Sequence, residues 1–195
     1  EKSIAALDIP HNLVVHFLYD FPFGPGKVLL QSGIGSKLVG GWALGGVLTY
    51  QSGLPIPTPT PASNNVPLFA GTIRPDRVLG ASSLSAAARS GSFDPGRDVY
   101  LNSAAWSSPA AYRFGNAARM SDARIGPFLG EDVSILKNTA VGERVRIQFR
   151  AEIFNLFNRT QFSFPSVDLG SSDFGMVFLQ QNRPRTMQMG LKVIF

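Results

Sequence analysis

Cysteine is absent from the 195 residues, which excludes a disulfide scaffold and thiolate ligation of a metal. Charge is scarce too. Only 16% of residues are Asp, Glu, Lys or Arg, against roughly 25% in ordinary globular domains. Such a chain cannot cover a large surface with charge. Long apolar runs are also missing: the longest candidate, LVVHFLYDF, is broken by His16 and Asp20, well short of the roughly 18 apolar residues of a membrane helix. Any membrane contact is therefore expected through strands. The 18 Lys and Arg exceed the 13 Asp and Glu, but no run of basic residues occurs. Nucleic acid, which calls for clustered cations with stacking aromatics, is not an expected partner. The chain opens at Glu1 without a basic and then apolar leader, so it is expected to be a piece of something longer.

The usual chemical constellations are missing as well. The two histidines, His11 and His16, are five residues apart and fall on opposite faces of a strand, which argues against shared metal ligation. DPGRD at 94–98 lacks the further ligands and closing Glu of a calcium loop and reads as a turn. GPGK and GIGSK lack the four-residue gap of a phosphate loop. No G-x-S-x-G elbow occurs. Catalytic residues, a cofactor and a metal site are therefore not expected, and neither is an enzyme.

What the sequence does contain is strict alternation. From Val145 to Ile153 the aliphatic and aromatic residues Val145, Ile147, Phe149, Ala151 and Ile153 alternate with Arg146, Gln148, Arg150 and Glu152. Period two over nine positions is a strand. Similar segments yield strands at about 11–21, 40–52, 131–139, 143–156 and 184–195, with a short helix within 83–90 and a brief strand at MVFLQ. AVGE at 140–143 is a tight turn, whereas 54–130 holds nine of the 14 prolines, shows no periodicity and reads as one long irregular loop. The pattern fits an all-β, antiparallel membrane barrel with lopsided loops and aromatics at strand ends. On that reading Arg144, Arg146, Gln148, Arg150 and Glu152 face the lumen, and Val145, Ile147, Phe149 and Ile153 face lipid. A charge on lipid costs roughly 2–4 kcal/mol at midplane, so the charged face belongs inside. A soluble β-sandwich module that binds carbohydrate would also alternate and is the other class to weigh. The last residues, MGLKVIF, place Gly190, Val193 and Phe195 as a terminal strand with an aromatic anchor, similar to the signal read by the machinery that assembles outer-membrane barrels.

FLYDFPFGPGK, GGWALGGVLTYQSGLP, RIGPFLGEDVSILKNTAVGERVRIQFRAEIFNLFNRTQF and RPRTMQMGLKVIF together resemble the C-terminal part of the TonB-dependent receptors, and most closely the Oar-like subgroup. The resemblance covers most of the chain outside 60–110, and FRAEIFNLFN and YQSGLP are its most specific parts. It implies a 22-stranded, plugged bacterial outer-membrane barrel, of which about five or six strands are present as an open sheet. It further implies uptake of a small molecule, or binding of a surface ligand, with energy supplied through TonB. The plug, the TonB box, the remaining strands and a carboxypeptidase-like domain would then lie before Glu1. A porin or adhesin translocator is the alternative within the membrane-barrel class. The resemblance also places the C-terminus in the periplasm and the loops 54–130 and 157–183 outside the cell.

Overall fold

The structure is a computed structural model that describes residues 2–61, 71 and 73–195; part of the expected long loop, 62–70 and 72, lies outside the described residues. The elements in chain order are β1 (Asn12–Asp20), α1 (Gly33–Val39), β2 (Trp42–Gln51), β3 (Pro55–Pro57), β4 (Asp76–Arg77), α2 (Ala86–Ser90), a 3-10 turn (Ser103–Ala105), β5 (Trp106–Ser107), β6 (Met120–Arg124), β7 (Phe128–Val141), β8 (Val145–Phe154) and β9 (Thr186–Ile194). The chain divides into two compact units.

The unit formed by His11–Gln51, Phe128–Thr160 and Arg183–Phe195 is one open antiparallel sheet of five strands in the order β1-β2-β7-β8-β9. Its fold is the expected all-β, antiparallel barrel sheet. β7 is longer than the alternation at 131–139 suggested, because Phe128, Leu129 and Gly130 continue the ladder opposite Gln51, Tyr50 and Thr49. At its far end β7 runs on to Val141, and the chain turns back through residues 142–144 into β8. Arg144 therefore lies in the turn, not in the row of strand residues where the alternation had placed it. Gly142 takes the left-handed conformation (φ +70°) that a reversal this short requires.

The β1–β2 connection contains α1, which the sequence did not reveal. Two glycines within seven residues (GIGSKLV) depress helix propensity, and Ser32 forms no side-chain cap. The helix is held from its C-terminal end. The indole Nε1 of Trp42 donates to the Leu38 carbonyl at 3.1 Å, and the Lys137 ammonium donates to the Leu38 and Gly40 carbonyls. Gly41 follows at φ +73°, where a Cβ would collide with the Asn138 carbonyl oxygen, and the two backbones are joined by a 2.8 Å hydrogen bond from Asn138 N–H to Gly41 C=O.

The other unit comprises Glu1–Pro10, Ser52–Pro127 and Gln161–Asn182. It is little more than two short hairpin-like pairs, β3–β6 and β4–β5, wrapped around a real core. Ile56, Leu101, Ala105, Trp106, Ala117, Ala123, Ile125 and Phe174 are buried together. Polar anchors replace regular ladders. The Arg77 guanidinium reaches the Val78, Ala105 and Ala81 carbonyls while lying over the Trp106 ring. The Tyr100 hydroxyl donates to the Arg124 carbonyl at 2.9 Å. The helix expected within 83–90 is the single turn α2, capped by the Ser85 hydroxyl, which accepts from Ala88 N–H. At MVFLQ only an isolated bridge between Phe162 and Gln180 forms.

Candidate functional site: the two faces of the sheet

Directly paired residues of antiparallel strands share a face, so the register assigns every side chain. Reading across the sheet, Tyr19 pairs Leu44, Leu44 pairs Ile135, Ile135 pairs Ala151 and Ala151 pairs Met189. One face consequently gathers Leu13, Val15, Phe17 and Tyr19 from β1 with Trp42, Leu44, Leu48 and Tyr50 from β2. Val133 and Ile135 from β7, Val145, Ile147, Phe149 and Ile153 from β8, and Met187, Met189, Leu191 and Val193 from β9 complete it. The opposite face gathers Asn12, His16, Asp20, Thr49, Gln51, Asp132, Ser134, Asn138, Arg146, Gln148, Arg150, Glu152, Gln188 and Lys192. All five strands keep the largely apolar row on the first face in phase, while the second face is mixed and also carries Val14, Leu18, Val47, Leu136, Phe154 and Ile194.

The apolar face is left bare. Leu13, Phe17, Tyr19, Met189, Leu191 and Val193 are all exposed, Leu191 by 69%. A water-facing protein would bury such a surface against a second layer. Within this unit no second sheet lies on it. The strand dimensions suit a bilayer. The nine steps of β8 at about 3.3 Å each, tilted about 40°, rise roughly 23 Å, close to the roughly 25 Å band of outer-membrane barrels. Aromatic rings gather towards one end of the sheet. Trp42 meets Phe149 edge to face (6.5 Å, 77°), and Tyr19, Phe21 and Phe23 form a chain of ring contacts beside it.

Two ionisable residues share the apolar face, one towards each end. Lys137 is bound to the α1 carbonyls and lies 4.8 Å from the Trp42 ring centre. Glu131 is 1% exposed, and the Arg159 Nε donates to both its oxygens at 3.1 Å. Neither ion stands alone, and sequence pattern had singled out neither. Arg159 lies 28 residues beyond Glu131, a separation at which no local rule operates.

The polar face carries the candidate site. His16, Leu18, Gly45, Val47, Asp132, Ser134, Leu136, Arg150, Glu152 and Phe154, with the edges of Phe17, Gly46 and Val133, line an open trough of about 610 Å³. Gly45 forms part of its floor, where a Cβ would already press on the Ser134 hydroxyl at 3.0 Å. Arg150 pairs with Glu152, and the Gln188 amide donates to the same carboxylate. Asp132 accepts from the Asn155 backbone N–H at 2.9 Å, and Gln148 donates to Asn138 at 2.9 Å. The trough thus combines apolar lining with Arg150, Glu152, Asp132, Ser134 and His16, groups able to recognise polar partners by hydrogen bonds. It has no nucleophile–base pair, and among the described residues no cluster of three or more metal-ligating side chains occurs. Of the expected row, Arg146, Gln148, Arg150 and Glu152 share this face and Arg150 and Glu152 enter the trough; Arg144 stays in the turn. His16, Asp132 and Ser134 were missed, although counting parity across paired strands would have found them. His11 precedes β1 and does not join His16.

At the C-terminus, Gly190 stands opposite Arg150 and Val193 opposite Ile147, with Phe195 fully exposed beyond the ladder. A Cβ at Gly190 would meet nothing within 4 Å, so packing gives no reason for glycine there. The other unit holds a separate pocket of about 690 Å³ lined by Ser85, Ser103, Ser171 and Ser172 together with Arg89 and Asn102.

No curated protein and no solved structure matches the chain. A family model described as "Outer membrane beta barrel domain" matches residues 1–188. No helix among the described residues is long and apolar enough to cross a membrane, and an outer-membrane barrel crosses with strands. The chain belongs to this outer membrane beta barrel domain family and is a protein of the bacterial outer membrane.

Proposed function

We propose that the chain is the C-terminal wall of a TonB-dependent, Oar-like receptor. In this reading Val145, Ile147, Phe149 and Ile153 meet lipid, and Arg146, Gln148, Arg150 and Glu152 meet a wide, wetted lumen. The folded unit built from 52–127 and 161–182 forms surface loops. Solute import or surface binding is driven through an inner-membrane complex, and the barrel-assembly machinery reads the strand ending at Phe195. No catalysis is assigned. The single observation that carries the reading is the trough. A lumen wall with a 610 Å³ recess and paired charges suits polar groups docking against it better than free diffusion past it. Segments such as FRAEIFNLFN and YQSGLP add the family resemblance.

The test uses the protein in the length its gene encodes, reconstituted in a planar bilayer. A plugged receptor passes no steady current in molar salt and opens only when the plug is loosened by denaturant. Steady ohmic conductance from the start would favour a porin. A cysteine scan from 145 to 153 with a bilayer-dissolved reagent checks the faces independently. Labelling at 146, 148 and 150 in place of 145, 147 and 149 would overturn the assignment.

A further inference from the structure

At the end of the sheet opposite the 142–144 turn, three arginines are drawn together by two asparagines. Asn155 and Asn158 both take the left-handed conformation (φ +53° and +52°) just past β8. Asn is among the few residues that tolerate it. The Asn155 side-chain amide donates to the Arg159 and Arg183 carbonyls at 2.9 and 3.1 Å. Asn155 Oδ1 accepts from Arg159 N–H at 2.8 Å, and Asn158 Oδ1 accepts from Arg185 N–H at 2.9 Å. Backbones 28 residues apart are thereby clasped by two side chains, which brings Arg159, Arg183 and Arg185 to the same end of the sheet.

These cations stand at the end of the sheet, and Arg159 is tied to its apolar face. Arg159 reaches Glu131, which belongs to that face, and lies 5.3 Å from the Phe157 ring centre. Arg185 directly precedes β9, and its guanidinium donates to the Leu156 carbonyl at 3.4 Å. Arg183 and Arg185 are exposed, as is the neighbouring Phe157. Glu131 balances one charge of the three. Among the described residues no carboxylate pairs with Arg183 or Arg185. An apolar face that ends at an exposed aromatic ring and then at two unbalanced cations has the profile of a bilayer surface, where positive charge meets lipid phosphates.

We propose that Arg183 and Arg185, steadied by the Asn155–Asn158 clasp, bind the phosphate groups of an anionic lipid headgroup at this end of the barrel. Under the proposed orientation, on which this inference rests for the leaflet alone, that headgroup belongs to a phosphorylated glycolipid of the outer leaflet. Arg159 serves as a positioning residue, fixed by Glu131.

The experiment uses purified, folded protein in detergent micelles doped with a bis-phosphorylated diglucosamine lipid, its dephosphorylated counterpart, or inorganic phosphate alone. Bound lipid is counted by native mass spectrometry. The variants are Arg183→Gln/Arg185→Gln, which leaves the Arg159–Glu131 pair intact, and Arg183→Lys/Arg185→Lys, which keeps the charge. The expected result is at least a tenfold loss of affinity on removing the lipid phosphates, an equal loss in the Gln variant, and most of the binding retained in the Lys variant. Equal retention of both lipids, unchanged binding in the Gln variant, or a Lys variant as weak as the Gln variant would overturn the proposal. Displacement of the lipid by millimolar inorganic phosphate would overturn it too, by assigning the site to a free anion. Micelles have no leaflets, so this readout is independent of orientation. Labelling Gln181→Cys on whole cells with an impermeant reagent tests orientation separately.

Discussion

Ile135 and Ser134 are neighbours on the central strand of the sheet and face opposite ways. Ile135 lies between Leu44 and Ala151 in the middle of the apolar face, and Ser134 between Gly45 and Glu152 on the trough side. Arginine at 135 would be held near the centre of the hydrocarbon, with seven strand residues before it and six after it in β7 and no carboxylate directly opposite on either neighbouring strand. The cost of a midplane Arg in such a barrel is about 2–4 kcal/mol. That shifts the folded-to-unfolded ratio by roughly 30- to 1,000-fold. Arginine at 134 meets water and the Glu152 carboxylate, and the net change stays within about 1 kcal/mol, as for solvated ion pairs. The measurement is reversible urea unfolding in phospholipid vesicles, followed by tryptophan fluorescence and by the mobility difference between folded and heated barrel on gels. If Ser134→Arg destabilises as much as Ile135→Arg or more, the faces have been assigned the wrong environments, and the lumen and lipid roles of β8 fall with them.

Three further outcomes follow from the local geometry. Removing Arg159 as Arg159→Gln leaves a carboxylate that is 1% exposed without its main partner. Because the Arg159 side chain is itself 43% exposed, water softens the loss to about 1–3 kcal/mol. Arg159→Gln/Glu131→Gln should recover part of it in the same unfolding assay. Gly41→Ala forces a methyl against the Asn138 carbonyl at φ +73° and should cost about 2 kcal/mol or more, whereas Gly190→Ala, with nothing within 4 Å, should be near neutral. In the loop unit, burial pushes the Asp122 carboxyl up, but the Ser83 hydroxyl and the Arg77 guanidinium outweigh it, and the group titrates below its ordinary value of 3.8. A depressed folded-state pKa contributes stability that is present above the ordinary value and is lost as pH falls through the folded one. Asp122→Asn should therefore lower the melting temperature of this unit at neutral pH, and the gap to wild type should close on acidification below pH 4.

How far the sequence could be read depended on where each contact partner sat along the chain. β8 was legible because its lateral environment is uniform: lipid-suited on one side and polar on the other for ten residues, so parity alone writes the pattern. β7 was legible only in its middle. Its first residues, Phe128–Gly130, owe their strand state to the ladder with β2 and not to alternation. α1 escaped notice because its hydrogen-bond partners are side chains from Trp42 and Lys137, one of them about 100 residues away. The loop unit was illegible for a related reason. Its core joins Leu54 and Ile56 to Leu101, Trp106, Ile125 and Phe174, and its buried prolines Pro55, Pro59 and Pro75 pack without producing any period.

The charges on the apolar face explain why it can be both bare and specific. Lys137 and Glu131 are six steps apart on β7, about 20 Å along the strand, and each finds its partner at its own end of the sheet: α1 carbonyls accept hydrogen bonds from the first, and Arg159 pairs with the second. An ion in the middle of this face would find no such partner, because the neighbouring strands offer only Leu44, Gly46, Ala151 and Ile153 there. A soluble sandwich has no reason to place its ions so, since its polar residues can sit anywhere on the outer face. A sheet whose apolar side is wetted only at its two rims does, because a charge is affordable only where donors or acceptors from a turn can reach it. The positions of two unforeseen ions thus argue for the bilayer independently of the alternation that first suggested it.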